Sequence, residues 1–195
     1  MIIGITGSIG SGKTTVAKLF SRHWYNRIDA DKIGHETIKN NSIVYKKIVK
    51  EFGIEILDKN ENIDRNRLGD VVFSDNKKLE KLNLIIRPTI LKEIKNKINK
   101  IKNRCGDKTK IVIDAPLLLE TKTKNLVDKI VVVKCDKGKI FDRLSQKFSK
   151  NKIEKILNIQ MPLKEKLKHA DFTIDNNKDL KHLEKQVMGI IKKLS

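Results

Sequence analysis

Long apolar runs are missing from this chain: nowhere do about 18 apolar residues follow one another, the length a bilayer-crossing helix needs, so no membrane partner is expected. Cysteine is scarce too. Cys105 and Cys135 stand alone, with no CxxC spacing and no neighbouring His, which argues against a zinc site and against a disulfide framework and leaves two reduced thiols. Aromatic residues make up only 5% of the chain, too few to interleave with basic residues as a base-stacking surface requires. Acidic residues are outnumbered, 24 against 43 basic ones, for a formal net charge of +19. Most of the basic residues are Lys scattered among Asn and Ile, a chain-wide bias rather than a patch. The expectation is a solvated basic surface with weak, salt-sensitive contact to polyanions and no dedicated nucleic-acid partner. Gly and Pro are too sparse to mark a linker. With 195 residues there is room for one α/β domain with a small inserted subdomain, and a monomer is expected.

The eight residues Gly7-Ser8-Ile9-Gly10-Ser11-Gly12-Lys13-Thr14 fit G-x-x-x-x-G-K-[ST]. Before them runs the β-branched stretch Ile2 to Thr6. After them Val16, Leu19 and Phe20 fall at helical spacing. A loop between such a strand and such a helix turns successive backbone amides and the positive helix end onto a phosphate, and its glycines allow positive φ and close approach. Lys13 then reaches the β- and γ-phosphates, and the Thr14 hydroxyl holds Mg²⁺. The chain begins directly with this strand and loop, leaving no room for a signal peptide, so a cytoplasmic protein is expected.

Further strand patterns occur around Arg27 to Asp29, at Lys110 to Asp114, at Lys129 to Lys134 and at Phe172 to Ile174, with helical patterns between them. The two middle runs are apolar throughout, as in a parallel sheet buried on both faces. The expected fold is α/β, a P-loop NTPase-type parallel sheet flanked by helices. Ligands in such sheets lie beyond the carboxyl ends of the strands. From about Ile43 to Arg104 the chain reads as several helices instead, with Asp64 and Asp75 as N-caps and Pro88 kinking or restarting the last one. This stretch is either a helical insertion carrying the second substrate or extra helices on the sheet. A Lys-dense helical stretch, Asp136 to Lys168, either closes over phosphates as a lid or is a solvated face.

Phosphoryl transfer needs charge neutralisation, a held metal ion and a group that orients or deprotonates the acceptor. Asp29 and Asp31 close a strand pattern at i, i+2 spacing, which suits a base and a metal- or water-positioning group; Asp31 as a helix N-cap fits equally well. Asp114 ends an apolar strand, the placement that holds Mg²⁺ in P-loop enzymes, with a turn Asp as the plainer reading. Pro116 to Glu120 is a substrate wall or core. Arg143 is a candidate for stabilising charge on the moving phosphoryl group. His23, His35, His169 and His182 have no metal-ligand spacing.

Taken together, Gly4 to Gly7 running into Gly10 to Ala17, Ile28-Asp29-Ala30-Asp31, Asp64-Arg65, Arg87-Pro88, Pro116-Leu117-Leu118-Leu119-Glu120, Ala170-Asp171 and Ile174-Asp175-Asn176 make the chain resemble the dephospho-coenzyme A kinase family along nearly its whole length. The resemblance implies a kinase with a core at about 1–42, 106–137 and 170–195, a helical acceptor-binding insertion at about 43–105 and a helical lid at about 138–169. It implies transfer of the ATP γ-phosphate to the ribose 3′-hydroxyl of dephospho-coenzyme A, giving coenzyme A. Gly10, Ser11, Gly12, Lys13, Thr14 and Thr15 would bind ATP, with Asn176 near the adenine. Asp31 would be the base, Arg143 the lid arginine, and His35 and Arg65 would serve the acceptor; Thr14 and Asp114 remain the expected holders of Mg²⁺.

Five positions depart from the family pattern. Ser8 and Trp24 stand where Gly is usual, Arg87 where His precedes Pro88, Lys147 where a second lid arginine is common, and Leu163 where some members are basic. A Lys supplies charge without the bidentate fork of an Arg, so modest activity is expected. Other readings are a nucleoside-monophosphate kinase, a P-loop ATPase stimulated by polynucleotide and a non-catalytic nucleotide binder. The first would lack Asp29-Ala30-Asp31 together with Pro116 to Glu120, and intact Lys13 and Asp31 argue against the last.

Overall fold

Three runs dominated by β-branched residues build the centre of a parallel sheet, because residues buried on both faces of a strand must be apolar at every position. A computed structural model describes residues 1–40 and 42–194. Asn41 and Ser195, at the edges of two expected core segments, lie outside the described residues. The strands are β1 (Ile2–Gly7), β2 (Asn26–Asp29), β3 (Ile111–Asp114), β4 (Lys129–Lys134) and β5 (Phe172–Asp175), all parallel, in the spatial order β2-β3-β1-β4-β5. β1 is central, and the loop that follows it leaves the middle of the sheet at its carboxyl edge. The register sets Asp29 beside Asp114 at that edge.

Two compact units divide the described chain. One comprises Met1–Asp29 and the chain from Lys97 onward; the other is Ala30–Asn96. In the first, α1 (Lys13–Arg22) and α9 (Leu180–Lys193) cover one face of the sheet. Val16, Leu19 and Phe20 of α1 and Leu183, Val187 and Ile190 of α9 close on Ile3, Ile5, Val131 and Val133. Phe20 meets Tyr25 edge-to-face, centroids 5.2 Å apart. After β4 come three short helices, α6 (Lys137–Leu144), α7 (Lys150–Ile159) and α8 (Leu163–Lys168), where Ile140, Leu144 and Ile153 form a small core with Cys135.

The second unit is helical: α2 (Ala30–Thr37), α3 (Ile43–Phe52), α4 (Arg65–Phe73) and the first part of α5 (Asn76–Cys105). Val44, Ile48, Ile56, Ile63, Leu68 and Val72 are its core. Asp64 caps α4 by accepting from the Asn66 and Arg67 amides, and Asp75 accepts from the Lys77 amide, as the sequence suggests. Pro88 does not restart the helix, since α5 runs through it unbroken. A proline removes a single backbone donor, and the ladder on either side carries the helix past it.

Candidate active site

The glycine-rich loop between β1 and α1 is shaped from behind by side chains that hold its backbone. Gly10 and Gly12 have φ of 73° and 92°, conformations that favour glycine. At Gly12 the surroundings also forbid a side chain, because a β-carbon there would overlap the Asn176 amide. Asn176 is buried and donates from Nδ2 to the Ser11 carbonyl at 2.7 Å. Arg143 donates to the Gly10 carbonyl at 3.2 Å and to the Asn176 carbonyl at 3.1 Å, with Cys135 Sγ 3.3 Å from the same guanidinium. Gln160 accepts the Ile9 amide at 3.0 Å, and the Ser11 amide bonds back to the Ser8 carbonyl at 3.1 Å. The loop is thus pinned at Ser8, Ile9, Gly10 and Ser11.

Its open side faces an uncapped helix end. Gly12 occupies the N-cap position of α1 and offers no side-chain acceptor, and no acidic residue lies in the first turn. Thr14 and Thr15 are exposed there, while Lys13 is largely buried. Backbone donors and a positive helix end without a protein acceptor form a phosphate site.

At the neighbouring strand ends, Asp114 and Asp29 share one cation. Arg27 Nη2 lies 2.6 Å from Asp29 Oδ2 and 2.8 Å from Asp114 Oδ2. Arg27 and Asp29 sit two residues apart on β2 and so on one face of the sheet. Asp114 is buried, and its Oδ1 has no hydrogen-bond partner. A buried carboxylate oxygen left over in this way, at the end of the strand paired with the one that leads into the phosphate loop, suits a divalent cation or its water shell. Among the described residues no three His, Cys, Asp or Glu side chains gather as a metal site. Any metal here would need a donor set of the phosphate-loop kind, in which the Thr14 hydroxyl and Asp114 would each offer an oxygen. Thr14 and Asp114 fit Mg²⁺ on this test.

Behind the loop lies a second polar cluster. Lys166 of α8 is fully buried and donates to the Pro116 carbonyl at 2.7 Å, reaches the Thr6 hydroxyl at 3.4 Å and pairs with Glu120 at 2.9 Å. The same Glu120 oxygen accepts the Met161 amide at 2.9 Å. Glu120, expected to end a substrate wall or core, is thus a brace. Asp171 is another. It accepts from Lys129 and from the Ile130 amide, tying the start of β5 to β4, and the Lys129 hydrogen bond holds its carboxyl below the usual range.

In the helical unit Asp31 lies in the first turn of α2, exposed, two residues past the end of β2. It is inside the helix and not its N-cap. His35, a turn further on, meets the Arg65 guanidinium, which must donate to the imidazole because it has no acceptor of its own. Those two expected acceptor residues are brought together. Arg87 has a buried Nε without a partner. Lys147 is exposed, Leu163 opens α8, and Ser8 contributes its carbonyl to the loop turn. Trp24 keeps φ at 68°, so the turn retains a conformation suited to glycine although a tryptophan occupies it. Sequence reasoning missed Arg27, Gln160 and Lys166.

The profile of a family described as dephospho-CoA kinase matches residues 1–182. A dephospho-CoA kinase of Carboxydothermus hydrogenoformans is 39% identical over 194 residues, spanning 98% of this chain and 93% of that one. One of Fusobacterium nucleatum is 41% identical over 189 residues, spanning 96% and 95%. Among solved structures, dephospho-CoA kinase from Campylobacter jejuni superposes with a TM-score of 0.71 at 27% identity, covering 100% of this chain and 96% of that one. Shikimate kinase from Acinetobacter baumannii, at 17% identity and a TM-score of 0.53 with 99% and 92% covered, shares the fold.

Proposed function

Since the chain belongs to the dephospho-CoA kinase family, we propose that it carries out the family's reaction with Asp31 as the base, Lys13 and Arg143 on the phosphates, and His35 with Arg65 on the acceptor. The reaction is ATP-dependent phosphorylation of the ribose 3′-hydroxyl of dephospho-coenzyme A, the last step of coenzyme A synthesis. The observation that carries the reading is the braced glycine-rich loop, opening an uncapped helix at the carboxyl edge of the central strand.

Phosphate oxygens of ATP lie on the segment Gly10 to Thr15 and take backbone amides there other than that of Ser11, which the Ser8 carbonyl holds, and the Lys13 ammonium offsets charge on the β- and γ-phosphates. Asp31 receives the proton of the ribose hydroxyl as its oxygen bonds to the γ-phosphorus and the bond to the ADP oxygen breaks. Asp31 is solvent-exposed in the first turn of α2. The Arg143 guanidinium lies against the Gly10 carbonyl, at the loop on which transferring charge develops. When bound, Mg²⁺ on Thr14 and Asp114 neutralises phosphate charge. Asn176 serves the nucleotide by fixing the loop, whatever it touches of the adenine. His35 and Arg65 form the acceptor-side pair within the helical segment. The working unit is a monomer in the cytoplasm.

The deciding experiment is ADP release from ATP and Mg²⁺, with dephospho-coenzyme A, nucleoside monophosphates or single-stranded nucleic acid as the added component. Release with dephospho-coenzyme A alone is expected. Stimulation by polynucleotide or by a monophosphate would overturn the substrate assignment.

A further inference from the structure

An ammonium taken wholly out of water is kept only where oxygens take the place of that water. The three oxygens around Lys166 come from separate parts of the frame: Thr6 at the end of β1, Pro116 after β3, and Glu120 beyond it. Glu120 passes the constraint on by accepting the Met161 amide, which places the turn between α7 and α8. The residue before Met161 is Gln160, itself only 9% exposed, and its Oε1 takes the Ile9 amide of the phosphate loop. Two hydrogen bonds, linked covalently through the Gln160–Met161 peptide, therefore join a buried ion pair to a loop peptide.

A phosphate loop works because its amides are aimed before the ligand arrives. The Ile9 amide is turned onto Gln160, while the Gly10 and Ser11 carbonyls are taken by Arg143 and Asn176. The backbone on both sides of Gly10 is fixed in this way, and the Ser11 amide is taken by the Ser8 carbonyl, which leaves the Gly10 and Gly12 amides to converge on phosphate. Without an acceptor at Gln160 the Ile9 peptide would have to find another partner, and the loop would lose one of its defined states.

Building on the kinase reading above, we infer that Gln160 is a positioning residue for ATP phosphate binding, held in register by the buried Glu120 and Lys166 pair. It touches no substrate and acts through the Ile9 peptide. A merely structural role would lower the melting temperature and leave the folded enzyme's affinities alone, whereas positioning separates the two substrates.

The test is calorimetric titration of ATP into the wild type, Gln160→Leu, Gln160→Glu and Lys166→Met well below each melting temperature, with kcat and both KM values measured in parallel. Gln160→Leu is expected to weaken ATP binding about tenfold, and to leave the KM for dephospho-coenzyme A within about twofold. Gln160→Glu keeps an acceptor at the same reach and stays within about threefold of wild type for ATP. Lys166→Met reproduces the leucine variant's defect and melts lower. Should Lys166→Met fail to fold, the two Gln160 variants decide the matter, together with faster hydrogen exchange at the Ile9 amide in Gln160→Leu. Wild-type ATP affinity in Gln160→Leu, or an equal loss for both substrates, would overturn the inference. Failure of the wild type itself to bind ATP would instead overturn the kinase reading.

Discussion

Asn176 fills the space that a side chain on Gly12 would need, and from there its amide holds the Ser11 carbonyl at 2.7 Å. The last motif residue of the chain thus fixes the shape of the first motif across 164 positions of sequence. Gly12→Ala should suffer twice, from overlap with Asn176 and from a φ of 92° that an L side chain resists. ATP affinity should fall about 5- to 150-fold, the equivalent of a strain of roughly 1–3 kcal/mol. Adding Asn176→Ala relieves the overlap but not the φ and restores only part of the loss. Titrations of the single and double variants would check this.

Asp31→Asn should lower kcat by about 10²–10⁴-fold, the usual worth of a positioned acid or base, and leave the ATP dissociation constant nearly unchanged. Equal loss of ATP binding would make Asp31 a structural or metal-binding group.

Removing Arg27 leaves two carboxylates side by side at adjacent strand ends, one of them buried. Arg27→Met should cost about 2–4 kcal/mol in urea unfolding, and Arg27→Met with Asp114→Asn should recover part of it. Full stability in the single variant would show that the pair is neutralised from elsewhere.

Asp171 predicts an acid-side pH dependence. Its carboxyl is held below the usual range, first by the Lys129 hydrogen bond. A depressed folded value stabilises above the ordinary carboxylate pKa, and the gain is lost as pH falls through the folded value. The stability gap between wild type and Asp171→Asn should therefore be widest near neutrality and close in acid, as read from denaturation midpoints over that range.

Trp24 is 92% exposed and holds a left-handed turn. Replacing it with Gly removes roughly 1–2 kcal/mol of backbone strain and adds about 0.5–1 kcal/mol of unfolded-state entropy, so Trp24→Gly should gain up to about 1.5 kcal/mol in urea unfolding. A loss of stability would mean that the indole has a partner.

What the sequence disclosed was local or patterned. Gly7 to Thr14 carries its meaning in eight consecutive residues, and Asp114 could be placed because an apolar strand ends on it. Asp64 and Asp75 showed themselves as caps through the helical runs behind them. Arg27 could not be read in this way, because a basic residue in a four-residue strand acquires a role only when β3 comes alongside with Asp114. Lys166 sits among Lys164, Glu165 and Lys168, and composition cannot tell a buried lysine from its solvated neighbours. Gln160 follows a helix with no motif around it. Its role depends on a loop 151 residues away in sequence. The alternative of a restart at Pro88 failed for the opposite reason: the local rule is strong, yet a 30-residue helix can give up one backbone bond and continue.

The oxygen cage around Lys166 has the make-up of a monovalent-cation site, with a carbonyl, a hydroxyl and a carboxylate around one positive charge. Here the charge is covalently attached to the chain. An ion drawn from solution would come and go with the potassium and sodium content of the medium, whereas a tethered ammonium is present at every salt composition. The frame behind the phosphate loop is therefore insulated from the ionic balance of its surroundings.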